Sequence, residues 1–156
     1  MLRVSKLTDY ATVVMTCLAG ADGVLSAQAL AERARLETPT VAKLLKQLAQ
    51  AGLVESFRGV SGGYRLADEP RNISVAAIVE AMEGPIGMTQ CSAQEGQCDH
   101  EAHCGVRVNW QRISNAIEHA LASVSLADML NPTPSHSVTI PLRMATLPTR
   151  SPRSHP

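Results

Sequence analysis

The sequence predicts a mainly α-helical fold with a small β wing, in which a winged helix-turn-helix is followed by a long helix. Three features indicate this fold. Two short amphipathic helices follow one another closely, a glycine-rich hairpin comes next, and an apolar seam with helical spacing runs from Val106 to Val124. The chain has 156 residues, which suits one domain with extensions better than a two-domain enzyme.

The first helix is predicted from about Ser5 to Ala19, with Gly20 behind it. Its apolar residues recur at helical spacing, and they are Leu7, Ala11, Val14 and Leu18. Cys17 lies beside this stripe, so we expect it to be a buried core thiol.

The helix-turn-helix is predicted between Ser26 and Gly52. Ser26 is a good N-cap for a short helix. Thr38 is then expected to cap a third helix that has Pro39 at its first position. An i, i+3, i+4, i+7 stripe gives this helix a buried face, opposite a polar face. The stripe consists of Val41, Leu44, Leu45 and Leu48, and the polar face of Thr40, Lys43, Lys46 and Gln47.

The wing is predicted as a hairpin of two strands, Leu53–Phe57 and Tyr64–Leu66, around the glycine-rich stretch RGVSGG. The glycines supply the positive φ that a tight hairpin needs. Ser74 then caps a helix that runs through Met82 and stops at Gly84.

The second half of the chain divides into three segments. A polar, cysteine-rich stretch is expected to be a loop, and the apolar seam behind it predicts a long dimerisation helix. The end of the chain holds six of the nine prolines and no acid, so we expect a disordered tail. The predicted parts are 1–84 (DNA-binding domain), 85–104 (cysteine loop), 105–130 (dimerisation helix) and 131–156 (tail).

Composition narrows the function classes. No apolar run of about eighteen residues could span a bilayer, and no secretory signal precedes the first helix, so a cytoplasmic protein is expected. The formal net charge is zero, but the segments 38–54 and 56–67 hold cations and no acid, which is typical of a local nucleic-acid contact. Aromatic residues make up only 3% of the chain, too few for single-strand stacking, so duplex DNA is favoured.

The candidate DNA-binding residues lie on the third helix and the wing. Thr38, Thr40 and Lys43 are placed to reach base edges, and Lys46 to reach a phosphate. Arg58 at the hairpin tip suits a minor groove, and Arg65 could hold the DNA backbone. A two-fold dimer built on the long helix would present two recognition helices to a pseudo-palindromic operator.

The cysteine loop is a candidate metal site. Six residues separate Cys91 from Cys98 and five separate Cys98 from Cys104, which is wider than the gaps of about two to four residues usual in structural zinc sites. Such spacing favours an iron-sulfur cluster with three thiolate ligands. A zinc clip or a thiol switch remains an alternative. Candidates for the fourth ligand are His103, His100, Glu101 or a residue from elsewhere, such as Asp9 of the partner subunit.

These residues together resemble the IscR and NsrR superfamily of bacterial winged-helix regulators. The similarity covers the start, the recognition segment, the wing, the three-cysteine loop and the end of the long helix, in the stretches LRVSKLTDYA, TPTVAKLLKQLAQAGLV, RGVSGGYRL and SLADML. The opening is most similar to regulators of SUF-type iron-sulfur assembly genes. The resemblance implies a homodimer, a cluster bound by Cys91, Cys98 and Cys104, and repression that responds to the cluster.

One departure concerns the fourth ligand. IscR-like members have a histidine three residues after the last cysteine, where this chain has Arg107. NsrR-like members use an N-terminal aspartate from the other subunit, and Asp9 occupies the matching place. The resemblance therefore favours Asp9, with His103 as the alternative, and leaves open a two-iron or four-iron cluster. The expected function is cluster-controlled repression. A cluster-free thiol or zinc-based regulator that responds to redox or nitric oxide is the alternative, and an enzyme is not expected.

Overall fold

The computed structural model describes residues 3–93, 96 and 103–131, except for the side chain of Cys91. The described part of the chain contains seven α-helices and one two-stranded antiparallel sheet, which confirms the predicted mainly α fold with a β wing. The elements are α1 (Lys6–Ala19), α2 (Ala27–Ala34), α3 (Thr38–Gln50), β1 (Val54–Phe57), β2 (Gly63–Leu66), α4 (Val75–Glu83), α5 (Gln90–Ala93), α6 (Arg107–Ala122) and α7 (Leu126–Leu130). None of the helices in these ranges is long and apolar enough to cross a membrane.

Serine side chains start three of the helices, as predicted or one residue from the predicted start. Ser5, Ser26 and Ser74 have extended backbones, and each accepts a hydrogen bond from the backbone N–H three residues later. Such caps satisfy one of the amide groups that a helix N-terminus leaves without a partner. The boundaries of α1, α2 and α4 are therefore set by local sequence.

The start of α3 differs from the prediction by one residue. Glu37 is the N-cap, with an extended backbone and no side-chain cap bond, and Thr38 is already helical. Proline is tolerated throughout the first turn because the amide groups there have no partner inside the helix, so Pro39 does not fix the start. The expected cap at Thr38 is wrong, and Thr38 lies in the first turn of α3.

The wing is held to the rest of the domain by Leu25. In the hairpin, Val54 pairs with Leu66 and Phe57 with Gly63. Leu25 then pairs with Tyr64 on the other edge of β2, through N–H···O bonds of 2.9 and 2.8 Å. A Cβ at Gly63 would lie 2.3 Å from the carbonyl oxygen of Leu25, so this approach requires glycine.

The core lies between α1, α2, α3, α4 and α7. Its fully buried side chains include Met15, Leu30, Leu44, Leu45, Leu48, Ile78 and Leu126. Leu126 belongs to α7, which packs against α1 and the 3-10 turn Pro70–Asn72. The segment behind the long helix is thus part of the DNA-binding domain's core.

The predicted long helix over 105–130 is two helices in the structure. Helix α6 ends at Ala122, and Ser125 starts α7 with a capping box in which Asp128 N–H donates to the Ser125 side chain and Ser125 N–H donates to the Asp128 carboxylate. Leu126 N–H donates to the Ile73 carbonyl at 2.7 Å. The capping box and the burial of Leu126 turn the chain back onto the domain. Apart from Asn131, the predicted tail lies outside the described residues.

Glu83, the last residue of α4, accepts two hydrogen bonds from the start of α1. The Thr8 hydroxyl donates to Oε1 at 2.6 Å and Ser5 N–H donates to the same oxygen at 2.8 Å. Both favour the ionised form and hold the pKa of the Glu83 carboxyl below its ordinary value of 4.5. The carboxylate therefore links α1 to α4 only while it is charged.

We expect Glu83→Gln to lower the free energy of unfolding at neutral pH by about 1 kcal/mol, because the carboxylate is exposed and partly screened. The folded-state pKa is lowered, so this stabilisation is present above pH 4.5 and is lost as the pH falls through the folded-state value. Urea unfolding of both proteins between pH 7 and pH 3 measures the difference, with Glu80→Gln as a control of equal charge change. A difference that is constant over this range would contradict the prediction.

Candidate nucleic-acid interface and metal centre

Helix α3 has one buried face and one exposed cationic face. Val41, Leu44, Leu45 and Leu48 have no exposed surface and pack into the core. Thr38, Lys43 and Lys46 are exposed and Thr40 is half-buried. The cations are therefore available to a polyanion while the opposite side of the helix anchors it.

Gln47 differs from its predicted place on the polar face. Its side chain is half-buried, and its buried Oε1 has no hydrogen-bond partner among the described residues. The predicted polar face is thus narrower, because the edge of α3 that bears Gln47 is partly covered by the rest of the domain.

The tip of the wing projects into solvent. Arg58, Gly59, Val60 and Ser61 are exposed, and Val60 is as accessible as in an extended peptide. A Cβ at Gly62 would lie 2.4 Å from the carbonyl oxygen of Phe57, so the tip can turn this tightly only with glycine there. Arg58 stands at the start of this turn, on the exposed end of the hairpin.

Arg65 has a carboxylate partner within the wing. Its guanidinium pairs with Glu55 on β1 at 2.9 Å and lies over the Phe57 ring, 4.8 Å from the centroid. The strand register puts Glu55 directly opposite Arg65, a relation that the acid-free segment 56–67 did not reveal. Both side chains are about half exposed, so the pair is weak, and a phosphate that binds Arg65 must compete with Glu55.

The segment that leads to Cys91 is fixed to α6 by a buried serine. Ser114 is 1% exposed; its hydroxyl accepts a hydrogen bond from Met88 N–H at 3.0 Å and donates one to Ser92 Oγ at 3.0 Å. Ser92 in turn accepts a bond from Thr89 N–H at 2.9 Å. These bonds hold α5, which contains Cys91, against α6. The sequence analysis predicted a loop here and missed Ser114, whose only signal is a polar residue beside the apolar seam.

Cys104 lies immediately before α6. Its thiol is free and half-buried, and its carbonyl accepts the Arg107 N–H at 3.3 Å. Of the other predicted ligands, Cys98 and the Cys91 side chain lie outside the described residues, as do His100 and Glu101. His103 and Asp9 are both exposed.

The described side chains form no group of three or more potential metal ligands, but two of the three cysteine thiols are not among them. Both ends of the cysteine segment lie against α6, since α5 packs on it and Cys104 precedes it. A single metal group held at one end of α6 is compatible with this arrangement and with the soft thiolate donors of Cys91, Cys98 and Cys104.

Cys17 belongs to the fold rather than to this site. The thiol is partly buried beside the core, a position less enclosed than predicted. Burial raises the pKa of the Cys17 thiol, and the Arg33 guanidinium lowers it by a smaller amount. The thiol is therefore protonated at neutral pH and a poor metal ligand.

The comparisons with known proteins agree with this architecture. A family model named Rrf2, described as an iron-dependent transcriptional regulator, matches residues 4–132. The chain is 31% identical over 130 residues to the HTH-type transcriptional regulator IscR of Aliivibrio salmonicida, which covers 80% of this chain and 77% of that protein.

Two solved structures share the fold. CymR, the global cysteine regulator of B. subtilis, has a TM-score of 0.66 and 31% identity, covering 85% of this chain and 99% of its own. The IscR of T. potens has a TM-score of 0.63 and 34% identity, covering 84% of this chain and 88% of its own. These relatives are named as regulators, in agreement with the expectation that the protein is not an enzyme. The chain belongs to the Rrf2 family, as a winged-helix, DNA-binding transcriptional regulator of the IscR type.

Proposed function

We propose that this protein is a cytoplasmic, homodimeric repressor of SUF-type iron-sulfur assembly genes, and that an iron-sulfur cluster controls its affinity for operator DNA. The observation that carries the cluster proposal is the attachment of both ends of the cysteine segment to α6. The thiolates of Cys91, Cys98 and Cys104 would hold the cluster, with Asp9 of the partner subunit as the fourth ligand and His103 as the alternative. When bound, the cluster supplies a redox-sensitive and labile group.

Contacts within the domain offer a route from the cysteine segment to the recognition helix. Helix α5 packs on α6, α6 packs on α4, and α4 packs on α3. Because packed helices move as rigid units, a change in how the cysteine segment lies on α6 would alter the position of α3. Thr38, Thr40, Lys43 and Lys46 would then meet the major groove differently. Arg58 and Arg65 of the wing would keep or lose their backbone contacts accordingly.

The proposed second copy would cover the exposed side of α6. Val106, Val108, Trp110 and Ile113 are large apolar residues with between 37% and 65% of their surface exposed. An apolar stripe of this kind along one helix is typical of a face that packs against another helix. A two-fold pair would place two α3 helices on one side of the DNA.

The proposal is tested by titrating operator duplex with anaerobically purified holo and apo protein. We expect a visible chromophore with matching iron and sulfide, different operator affinities of the two forms, and affinity that falls linearly with the logarithm of salt concentration. Cys98→Ala should lose the chromophore and respond no differently with or without iron and sulfide. Cys17→Ala, which removes a thiol outside the segment, should retain both properties. Colourless protein after cluster reconstitution would overturn cluster control.

The likeness to CymR favours the second candidate, a cluster-free thiol or zinc-based regulator of the same fold. In that case anaerobic protein would contain no inorganic sulfide. Cys98→Ala would nevertheless change the response of operator binding to an oxidant or to zinc. Metal and sulfide analysis beside the operator titration therefore separates the two candidates.

A further inference from the structure

Arg35, in the turn between α2 and α3, has a backbone conformation that favours glycine. Its φ of 54° and ψ of 44° lie in the left-handed region, and no other non-glycine residue in the described part of the chain has a positive φ. A side chain at such a position crowds the following carbonyl group, which is why glycine is common there. The choice of arginine therefore needs a reason.

The fold requires this conformation whichever residue occupies the position. Arg35 N–H donates to the Glu32 carbonyl at 3.3 Å and Leu36 N–H donates to the Ala31 carbonyl at 2.9 Å, the pattern of a Schellman motif. The Leu36 side chain then packs against the core. These bonds use only backbone atoms of Arg35, so glycine would satisfy them equally well.

The side chain of Arg35 contributes little to the folded protein. It is exposed, and no hydrogen bond or ion pair between described residues involves its guanidinium. Glu37, the acid nearest in sequence on the α3 side, is exposed as well and does not pair with it. An arginine that crowds its own backbone and supports no contact within the chain points to a partner outside it.

The position of Arg35 identifies the partner. It lies two residues before the N-cap of α3 and three before Thr38, beside the end of α3 whose side chains would enter a major groove. The phosphates that border a groove are the anions nearest to this end, and a guanidinium binds phosphate in a bidentate manner.

We propose that Arg35 binds a backbone phosphate at the edge of the major groove that receives α3. This inference rests on the proposed operator binding. The contact is independent of base sequence, so it would strengthen binding and fix the register of α3 without selecting a base.

The test compares operator affinity of the wild type and Arg35→Gly over a range of salt concentrations, together with urea unfolding. Loss of one phosphate contact per subunit should make the slope of log affinity against log salt shallower by about 1.8 for a dimer. Unfolding should show a variant at least as stable as the wild type. Arg35→Gln should show the same loss of slope, and the matched variant Arg112→Gln, which removes an exposed cation of α6, should not.

An Arg35→Gly protein with unchanged affinity and slope would overturn the inference. A variant less stable than the wild type would also overturn it, because Arg35 would then serve the fold. Equal weakening at every salt concentration would indicate a displaced α3 rather than a lost phosphate contact, which likewise contradicts it. Wild-type protein without sequence-selective duplex binding would instead refute the proposed function itself.

Discussion

Replacing Leu126 by alanine is expected to lower the free energy of unfolding by about 2–5 kcal/mol. Leu126 has no exposed surface, and its N–H donates to the Ile73 carbonyl at 2.7 Å. Truncation would leave a cavity between α7 and α1 that the surrounding helices can close only in part. A loss of this size is a large part of the total stability of a single domain. Urea unfolding followed by circular dichroism measures it.

The matched control is Met129→Ala on the same short helix. Met129 is 46% exposed, so this variant should change the free energy of unfolding by less than about 0.5 kcal/mol. If both variants lost equally little, α7 would be peripheral to the domain rather than part of its core. The comparison therefore tests whether the DNA-binding domain extends past α6.

Gly63→Ala is expected to detach the wing from the rest of the domain. The new Cβ would lie 2.3 Å from the carbonyl oxygen of Leu25 and 2.6 Å from its carbon, both backbone atoms that cannot rotate away. The 2.9 and 2.8 Å hydrogen bonds between Leu25 and Tyr64 would break, at a cost of about 2–3 kcal/mol. Hydrogen exchange at the Leu25 and Tyr64 amides measures the change directly.

Operator binding should weaken in Gly63→Ala, because Arg58 depends on the hairpin for its position. Gly20→Ala is the control, since a Cβ at Gly20 meets only the Thr16 carbonyl oxygen at an ordinary 3.6 Å. That variant should retain wild-type exchange at Leu25 and Tyr64. Protected amides in Gly63→Ala would show that the strand edge can shift to accept a side chain, against the prediction.

Much of the fold was predictable because its signals are local. The apolar stripe of α3, the serine caps at Ser5, Ser26 and Ser74, and the stop at Gly84 depend on residues within one or two turns of each other. The hairpin was predictable for the same reason, because its glycines and flanking strands are adjacent in sequence. The winged helix-turn-helix follows from these local rules.

The candidate site was predictable by residue type but not by arrangement. The exposed threonine and cations of α3 and the exposed Arg58 lie where the pattern placed them. Sequence alone did not show that Glu55 pairs with Arg65, since that contact depends on strand register. It also did not show that Ser114 holds the segment before Cys91, since the two lie more than twenty residues apart.

The sequence by itself determined the order of the helices, the wing, the family resemblance and the candidate ligand set, because propensity, capping and motif spacing are properties of neighbouring residues. Only the tertiary structure decided that the predicted long helix ends at Ala122, that Leu126 completes the core, and that Arg35 holds a left-handed conformation. These features depend on which distant groups meet. Packing and long-range hydrogen bonds are satisfied together, and no local pattern records that choice.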